Sequence, residues 1–160
     1  AMGHELMATP LQLAQAFGII ANNGVRVLPR IVKSRQRPGA NSPKEVLQPA
    51  PGELRIKPET AIVMRQMMEG VVLRGTGKKA AVRGYTIGGK TGSAQIYDLK
   101  NHVYTHNYNS SFLGLAPLTN PQVVIVVTLN GTTGGAAGYG GAVAAPIDAS
   151  GIVHRIFGDL

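Results

Sequence analysis

The stretch GYTIGGKTGSAQIY, residues 84–97, is the part of the sequence on which the fold assignment depends. Its first eight residues match the phosphate-binding pattern G-x-x-x-x-G-K-[ST], in which the chain must pass directly from the loop into a helix. Here Gly92 follows Lys90 and Thr91, and glycine is poorly suited to the first turn of a helix. The residues that follow are typical of a β-strand. We therefore predict a strand over residues 86–97 and keep a P-loop nucleotide-binding site as the less favoured alternative.

A strand that carries Lys90, Thr91 and Gly92 has the residue types that border a serine acyl-transfer site. The lysine supplies positive charge beside a serine nucleophile and a substrate carboxylate, and the threonine hydroxyl can donate a hydrogen bond to that carboxylate. The glycine leaves room for a substrate to lie along the strand, and the backbone N–H of the next residue can form half of an oxyanion hole. Three residues recur by chance, so this motif by itself is a weak signal.

Two more strands are predicted downstream, at residues 111–116 and 123–129. The second is apolar on both faces, so we expect it at the centre of the sheet. Upstream, residues 25–32 predict a shorter strand, which Pro29 interrupts. Exposed loops are predicted in two stretches rich in Gly, Pro or Ser, at residues 34–53 and 131–141.

Helices are predicted at both ends of this run of strands. The first begins at Pro10, where Thr9 and Gln12 can form a capping box. Two further helices are predicted from apolar residues at helical spacing, over residues 58–74 and 142–157. Strands in succession with helices at the ends indicate an α+β fold, in which an antiparallel sheet is flanked by helices.

The composition excludes several kinds of site. Cysteine is absent, which removes disulfides, thiolate catalysis and cysteine-based zinc sites. No apolar run approaches eighteen residues, so no membrane-spanning segment is predicted. The net charge of +8 comes from scattered basic residues, and the chain has no Trp and only 5% aromatic residues. This composition favours a solvated basic surface over a nucleic-acid site.

Several further motifs surround the Lys-Thr-Gly triad, and together they closely resemble class B penicillin-binding proteins. The upstream residues 9–14, TPLQLA, resemble the helix that follows the second motif of that family. The downstream stretches FLGLAP and GGAVAAP, residues 112–117 and 140–146, resemble its next strand and the start of its final helix. The stretches next to the triad that share this resemblance are GTGK at 75–78, GY at 84–85 and GKTGSAQ at 89–95.

The resemblance implies an extracytoplasmic peptidoglycan D,D-transpeptidase. Such an enzyme cross-links peptidoglycan through a serine acyl-enzyme, and β-lactams acylate the same serine. It implies that Lys90 interacts with the serine of the second motif, and that Thr91 and Ser93 hold the carboxylate of the substrate or drug. Gly92 would permit close approach, and the backbone N–H of Ser93 would be an oxyanion-hole donor. Position 93 more often holds Thr in the family, and Ser keeps the hydroxyl. The family implies no metal and no cofactor.

The implied partners are peptidoglycan stem peptides ending in D-Ala-D-Ala, β-lactams and other cell-wall synthesis proteins. The implied location is the periplasmic face of the cytoplasmic membrane, where a segment outside this chain would anchor the protein. Nucleic acid is not expected as a partner.

The sequence departs from the family pattern in one large respect. No serine has lysine three positions later, and none has asparagine two positions later, so the Ser-x-x-Lys and Ser-x-Asn motifs are absent. We expect residues 1–160 to be the C-terminal portion of a transpeptidase domain, with both motifs upstream. Alone, this portion should not catalyse acyl transfer. Apolar surface exposed on such a portion would allow it to dimerise or to swap elements.

Other interpretations stay open on the residues alone. The chain could be a non-catalytic module that binds peptidoglycan stems or a cell-division or elongation partner. His102 and His106 have the spacing of metal ligands on a helix, but the surrounding Asn and Tyr residues favour a loop or hairpin with exposed histidines. Ser110 and Ser111 lack the pattern around a nucleophile and are interpreted as the start of a strand.

Overall fold

A computed structural model describes residues 6–39, 42–147 and 153–157 of the chain. Within these ranges the chain forms helices and antiparallel sheets, which confirms the predicted α+β class. The helices α1 to α5 are Pro10–Ala21, Pro58–Arg74, Gly140–Val143, Ala145–Ile147 and His154–Phe157. The strands β1 to β7 are Val25–Arg26, Ser34–Arg35, Glu45–Val46, Glu53–Leu54, Gly88–Asp98, Val103–Ala116 and Val123–Thr132. Short 3₁₀ turns lie at Lys78–Ala80 and Gly135–Gly138.

The main sheet has the order β5-β6-β7, and neighbouring strands are antiparallel. β5 pairs with β6 in a long hairpin in which Lys90 lies opposite Leu113 and Thr91 opposite Phe112. The prediction that the second strand starts at residue 111 is wrong, because β6 already begins at Val103. Residues 103–109 are polar because they form the exposed end of the hairpin, and Tyr97 and Tyr104 pack edge to face across it with ring centroids 5.1 Å apart.

The prediction that the strand at 123–129 is central is also wrong for the described strands, since β6 lies between β5 and β7. β7 is apolar on both faces because both of its faces are covered. Val124 packs towards α1 and α2 together with Leu115. Ile125 and Val127 belong to the cluster on the opposite face, which includes Phe112.

Apolar clusters on the two faces of the sheet hold the helices and the 3₁₀ turn at Lys78–Ala80 in place. The larger apolar cluster joins the sheet to the end of α2, to the 3₁₀ turn at Lys78–Ala80 and to the C-terminal helices. The smaller one lies under α1 and the middle of α2. Across the described ranges, the helices are too short or too polar to cross a membrane.

The first helix has the predicted capping box. Thr9 Oγ1 accepts a hydrogen bond from the Gln12 backbone N–H at 3.3 Å, and the Gln12 side chain accepts one from the Thr9 N–H at 2.8 Å. The chain leaves the helix at Gly24, whose φ of +90° is a conformation that glycine adopts readily. A Cβ at this position would also collide with the Ile56 carbonyl oxygen, so residue 24 must be glycine for the chain to turn here.

Arg65 of α2 binds the C-terminal end of α1. Its guanidinium donates to the Ile20 carbonyl at 2.8 Å and to Asn23 Oδ1 at 2.9 Å. Arg65 is only 8% exposed, so these acceptors satisfy a charged group that burial would otherwise destabilise. The residue joins the two helices that cover one face of the sheet.

The predicted loop at residues 34–53 contains short strands, so that prediction is wrong in part. β2 pairs with β3, and β4 pairs with β1, which has two residues where eight were predicted. Proline and the small polar residues keep each strand short. Exposed ion pairs join Arg35 to Glu45 and Arg55 to Glu53, and such pairs contribute little stability.

The predicted closing helix at 142–157 begins two residues earlier and is interrupted. α3 and α4 are separated at Ala144, close to Pro146, which has no N–H to donate to the carbonyl four residues before it. The part of the prediction that falls on residues 148–152 lies outside the described residues. The loop predicted at 131–141 is ordered in part, because β7 runs to Thr132 and a 3₁₀ turn follows.

We predict that Arg65→Met lowers the free energy of unfolding by about 2 kcal/mol, because charged hydrogen bonds to two acceptors are lost. Urea unfolding of the protein that carries this sequence measures the effect. Arg83→Met removes an exposed arginine and should change the same quantity by less than about 0.5 kcal/mol. Equal effects of the two substitutions would show that the Arg65 contacts do not stabilise the fold.

Candidate active site

The Lys-Thr-Gly triad lies inside β5 and not at the start of a helix. Residues 88–98 form one continuous strand, and Lys90 to Ser93 pair with Leu113 to Ser110 of β6. A P-loop requires a helix whose first N–H groups face the phosphate, so the nucleotide-binding alternative is wrong. Among the described strands, β5 is an outer strand of its sheet, and no described strand pairs with its other edge.

Successive residues of β5 point to opposite faces of the sheet. Thr91 and Ser93 share the face of their partners Phe112 and Ser110, which are buried. Lys90 lies on the other face and is exposed. Its ammonium group donates to the backbone carbonyl of Thr91 at 2.7 Å.

A cleft of about 370 Å³ lies beside β5, and we call it the β5 cleft. Thr91 and Ser93 are in its wall, whereas Lys90 is not. Lys78 and Lys79 make it electropositive, and no acidic side chain is among the described residues around it. The residues that line it are Thr76, Lys78, Lys79, Thr91, Ser93, Ala136, Tyr139, Gly141 and Ala142.

Both hydroxyls of β5 in the cleft are held by hydrogen bonds. The Thr91 hydroxyl lies 2.7 Å from the hydroxyl of Thr76, which follows α2. The Ser93 hydroxyl accepts a hydrogen bond from the backbone N–H of Gly140 at 3.0 Å. Two segments distant in sequence therefore fix two neighbouring side chains of the motif.

Residues 140 and 141 can approach β5 because both are glycine. A Cβ on Gly140 would lie well inside contact distance of the backbone oxygens of Gly92 and Ser111. A Cβ on Gly141 would collide with the carbonyl oxygen of Thr76. The start of α3 is thus packed directly on the backbone of the sheet.

Gly92 has a packing role that the sequence did not reveal. A Cβ at this position would collide with Ser111 Oγ of β6, on the face that also carries Lys90. Because this oxygen ends a side chain that can rotate, and Ser111 Cβ would lie 3.8 Å from the added atom, a larger residue at position 92 would require the Ser111 hydroxyl to turn aside. This contact exists whether or not a ligand approaches the strand.

Polar contacts also hold the loop that closes the cleft. Ser110 is 1% exposed, and its hydroxyl donates to the Gly138 carbonyl, which also accepts from Thr132. Tyr139 packs edge to face on Tyr108 with ring centroids 5.0 Å apart. The hydrogen bond that the Tyr108 hydroxyl donates to Tyr139, together with burial, raises the pKa of Tyr108, so this hydroxyl stays neutral near neutral pH.

The structure brings together Thr91 and Ser93 from the predicted set and adds residues that the sequence analysis gave no role. Thr76, Lys78 and Lys79 join the site because the turn after α2 packs against the sheet: a Cβ on Gly77 would lie 3.2 Å from the Phe112 ring. The only sequence signal for these residues was the GTGK stretch at 75–78. Its match to the family motifs indicated that the stretch matters, but it did not indicate that the stretch lies beside β5.

The other candidate residues are not in the wall of this cleft. His102 and His106 are exposed on the hairpin, as expected, and no group of three or more metal-ligating side chains is found within the described ranges. Ser110 and Ser111 are strand residues, but the interpretation that they start the strand is wrong, because β6 begins at Val103.

Comparison with known proteins identifies the family that has this arrangement. The model of the penicillin binding protein transpeptidase domain matches residues 1–156. The chain belongs to that family. The family resemblance inferred from the motifs is therefore confirmed.

Curated relatives of this chain include a penicillin-binding protein and a peptidoglycan D,D-transpeptidase. It is 40% identical over 154 residues to penicillin-binding protein PbpB of Mycolicibacterium smegmatis, covering 91% of this chain and 24% of the relative. It is 38% identical over 147 residues to peptidoglycan D,D-transpeptidase FtsI of Escherichia coli, covering 91% of this chain and 22% of the relative. The chain thus spans about a quarter of the length of these relatives.

Solved structures share the fold of this family member. Penicillin-binding protein 3 of Mycobacterium tuberculosis in the apo form superposes with a TM-score of 0.80 at 33% identity, over 92% of this chain and 34% of that one. The same protein complexed with ampicillin gives a TM-score of 0.83 at 32% identity, over 99% and 37%. The α+β transpeptidase fold assignment is therefore confirmed.

We predict that Gly140→Ala destabilises the fold of this chain by about 3 kcal/mol, because the added methyl group must displace the backbone of β5 and β6. Gly18→Ala is the matched control. Gly18 lies in α1 with nothing within 4 Å of an added Cβ, so alanine there should stabilise the helix by about 0.5–1 kcal/mol. Urea unfolding measures both changes. If Gly140→Ala proved neutral, the tight packing of α3 on the sheet would be refuted.

Proposed function

We propose that this chain supplies the Lys-Thr-Gly strand of a peptidoglycan D,D-transpeptidase, an enzyme that cross-links stem peptides through a serine acyl-enzyme. The observation that carries the proposal is an outer strand whose Thr91 and Ser93 side chains line a cleft that also contains Lys78 and Lys79. The family membership and the D,D-transpeptidase name of a relative at 38% identity support it.

The β5 cleft suits the terminal carboxylate of a D-Ala-D-Ala peptide. The hydroxyls of Thr91 and Ser93 can each donate to a carboxylate oxygen, and Lys78 and Lys79 add positive charge nearby. The substrate backbone would lie along the outer edge of β5 in the manner of an added strand. A β-lactam carboxylate would bind at the same place, and complexes of a family member with ampicillin and aztreonam support this.

The chemistry requires a serine that this sequence does not contain within a Ser-x-x-Lys motif. We propose that a segment outside this chain supplies it, together with the second-motif serine that Lys90 faces. The serine oxygen attacks the peptide carbonyl, and the backbone N–H of Ser93 stabilises the resulting oxyanion. The bond to the terminal D-Ala breaks, with a proton going to the leaving amine. The amine of a second stem peptide then attacks the acyl-enzyme and releases the serine.

The proposed location and partners follow from the family. The enzyme would act on peptidoglycan outside the cytoplasmic membrane, on the periplasmic face, beside other cell-wall synthesis proteins, held by a segment outside this chain. Exposed apolar side chains at Leu6, Met7 and Ile31 would be covered by the rest of the protein or, in the isolated chain, by a second copy.

One alternative function is favoured by a specific observation, the absence of both serine motifs from this sequence. In that case the chain would be a non-catalytic module that binds a stem peptide or a partner through β5. Covalent labelling of the natural protein separates the two functions.

We predict that the 160-residue chain alone forms no covalent adduct with a fluorescent penicillin, since the acylated serine is absent. The natural protein that carries this sequence should give a labelled band that survives denaturation and is lost after competition with ampicillin. A stable adduct on the isolated chain would reveal an unrecognised nucleophile. No adduct on the natural protein would favour the non-catalytic module.

In the natural protein, we predict that Lys90→Ala slows acylation by penicillin about a hundredfold, because a positive charge beside the reacting serine is lost. Stopped-flow or gel-based acylation rates measure this. Lys100→Ala, which removes an exposed lysine from the turn of the hairpin, should leave the rate unchanged. Near-normal acylation by Lys90→Ala would contradict the role assigned to Lys90.

A further inference from the structure

The hydroxyls of Thr91 and Ser93 each have a protein partner, the Thr76 hydroxyl and the Gly140 backbone N–H. We propose that Thr76 and the backbone of Gly140 are positioning groups that orient these two hydroxyls as hydrogen-bond donors to the ligand carboxylate. The inference rests on the proposed function and goes beyond it by assigning roles to two segments outside the Lys-Thr-Gly strand.

The direction of the hydrogen bond is unambiguous for Ser93. The backbone N–H of Gly140 can only donate, so the Ser93 oxygen accepts at 3.0 Å. A serine hydroxyl carries one hydrogen of its own. Because the Gly140 N–H already occupies one lone pair of the Ser93 oxygen, the hydroxyl hydrogen must be donated to a different acceptor. In the electropositive β5 cleft, the acceptor for which this arrangement is suited is an anion.

Thr76 acts in the same way on Thr91. The two hydroxyl oxygens are 2.7 Å apart, a normal distance for a hydrogen bond between hydroxyls, and either can donate. When a carboxylate accepts from Thr91, the remaining lone pairs of the Thr91 oxygen are available to Thr76, so Thr76 becomes the donor. A chain of two hydrogen bonds in one direction strengthens both of them.

The surrounding backbone fixes Thr76 in this place. The turn after α2 is held by hydrogen bonds from the N–H groups of Gly75 and Gly77 to the Val71 carbonyl, at 3.1 and 3.0 Å. The Thr76 carbonyl is packed against Gly141, where no Cβ could fit. The hydrogen-bonded turn therefore fixes the backbone of Thr76 so that its hydroxyl lies beside the Thr91 hydroxyl.

The test uses the natural protein and two probes. One is a penicillin with its free carboxylate, and the other is the methyl ester of the same penicillin. Thr76→Val removes the hydroxyl and keeps the shape of the side chain. It should slow acylation by the free acid about fivefold, as expected for one lost hydrogen bond, and should change acylation by the ester by less than about twofold.

Two further variants separate orientation from structure. Thr76→Ser keeps the hydroxyl and should restore the rate with the free acid. Thr119→Val, at an exposed position in the connection between β6 and β7, should leave both rates unchanged. If Thr76→Val slowed the acid and the ester equally, or if Thr76→Ser failed to restore the rate, the proposal would be overturned.

A double-mutant cycle tests whether Thr76 acts through Thr91. In the Thr91→Val background, Thr76→Val should cause almost no additional loss with the free acid. An undiminished loss in that background would also overturn the proposal. Failure of the proposed function would look different, because the natural protein would then form no adduct with either probe.

Discussion

The candidate site depends on the direct packing of Gly140 on the backbone of β5 and β6 and of Gly141 on the backbone of Thr76. Because both residues are glycine, the start of α3 can reach the strand that carries Thr91 and Ser93. The same contact places the Gly140 N–H at the Ser93 hydroxyl and closes one wall of the β5 cleft. A steric property of two residues thus determines both the shape of the cleft and the orientation of a polar group in it.

The alternation of side chains along β5 places the ammonium group of Lys90 and the hydroxyls of Thr91 and Ser93 on opposite faces of the sheet. Lys90 projects from one face of the sheet, and Thr91 and Ser93 line the cleft on the other. Consecutive residues of the strand therefore have different surroundings, since Lys90 is exposed and Thr91 and Ser93 line the β5 cleft. A helix could not place adjacent residues on opposite faces, because its neighbouring side chains diverge by only about 100° around the axis.

Local signals in the sequence predicted much of this arrangement, and long-range contacts account for the rest. The capping box at Thr9 and the strand through Lys90 depend on near neighbours, so their patterns were sufficient. The contact between Thr76 and Thr91 spans fifteen residues and arises from the packing of Gly77 against Phe112, which no local pattern encodes. The apolar residues on both faces of β7 indicate that both faces are covered. They do not indicate that the strand is central in the sheet, so that prediction was wrong.

The hairpin of β5 and β6 passes from an exposed end to a buried half, and the change occurs at Ser110, opposite Ser93. Few buried contacts hold the outer half, so local opening there costs little free energy, whereas the inner half opens only when the core does. The motif lies on the inner side of this boundary. Fluctuations at the tip can therefore occur without loosening residues 90–93.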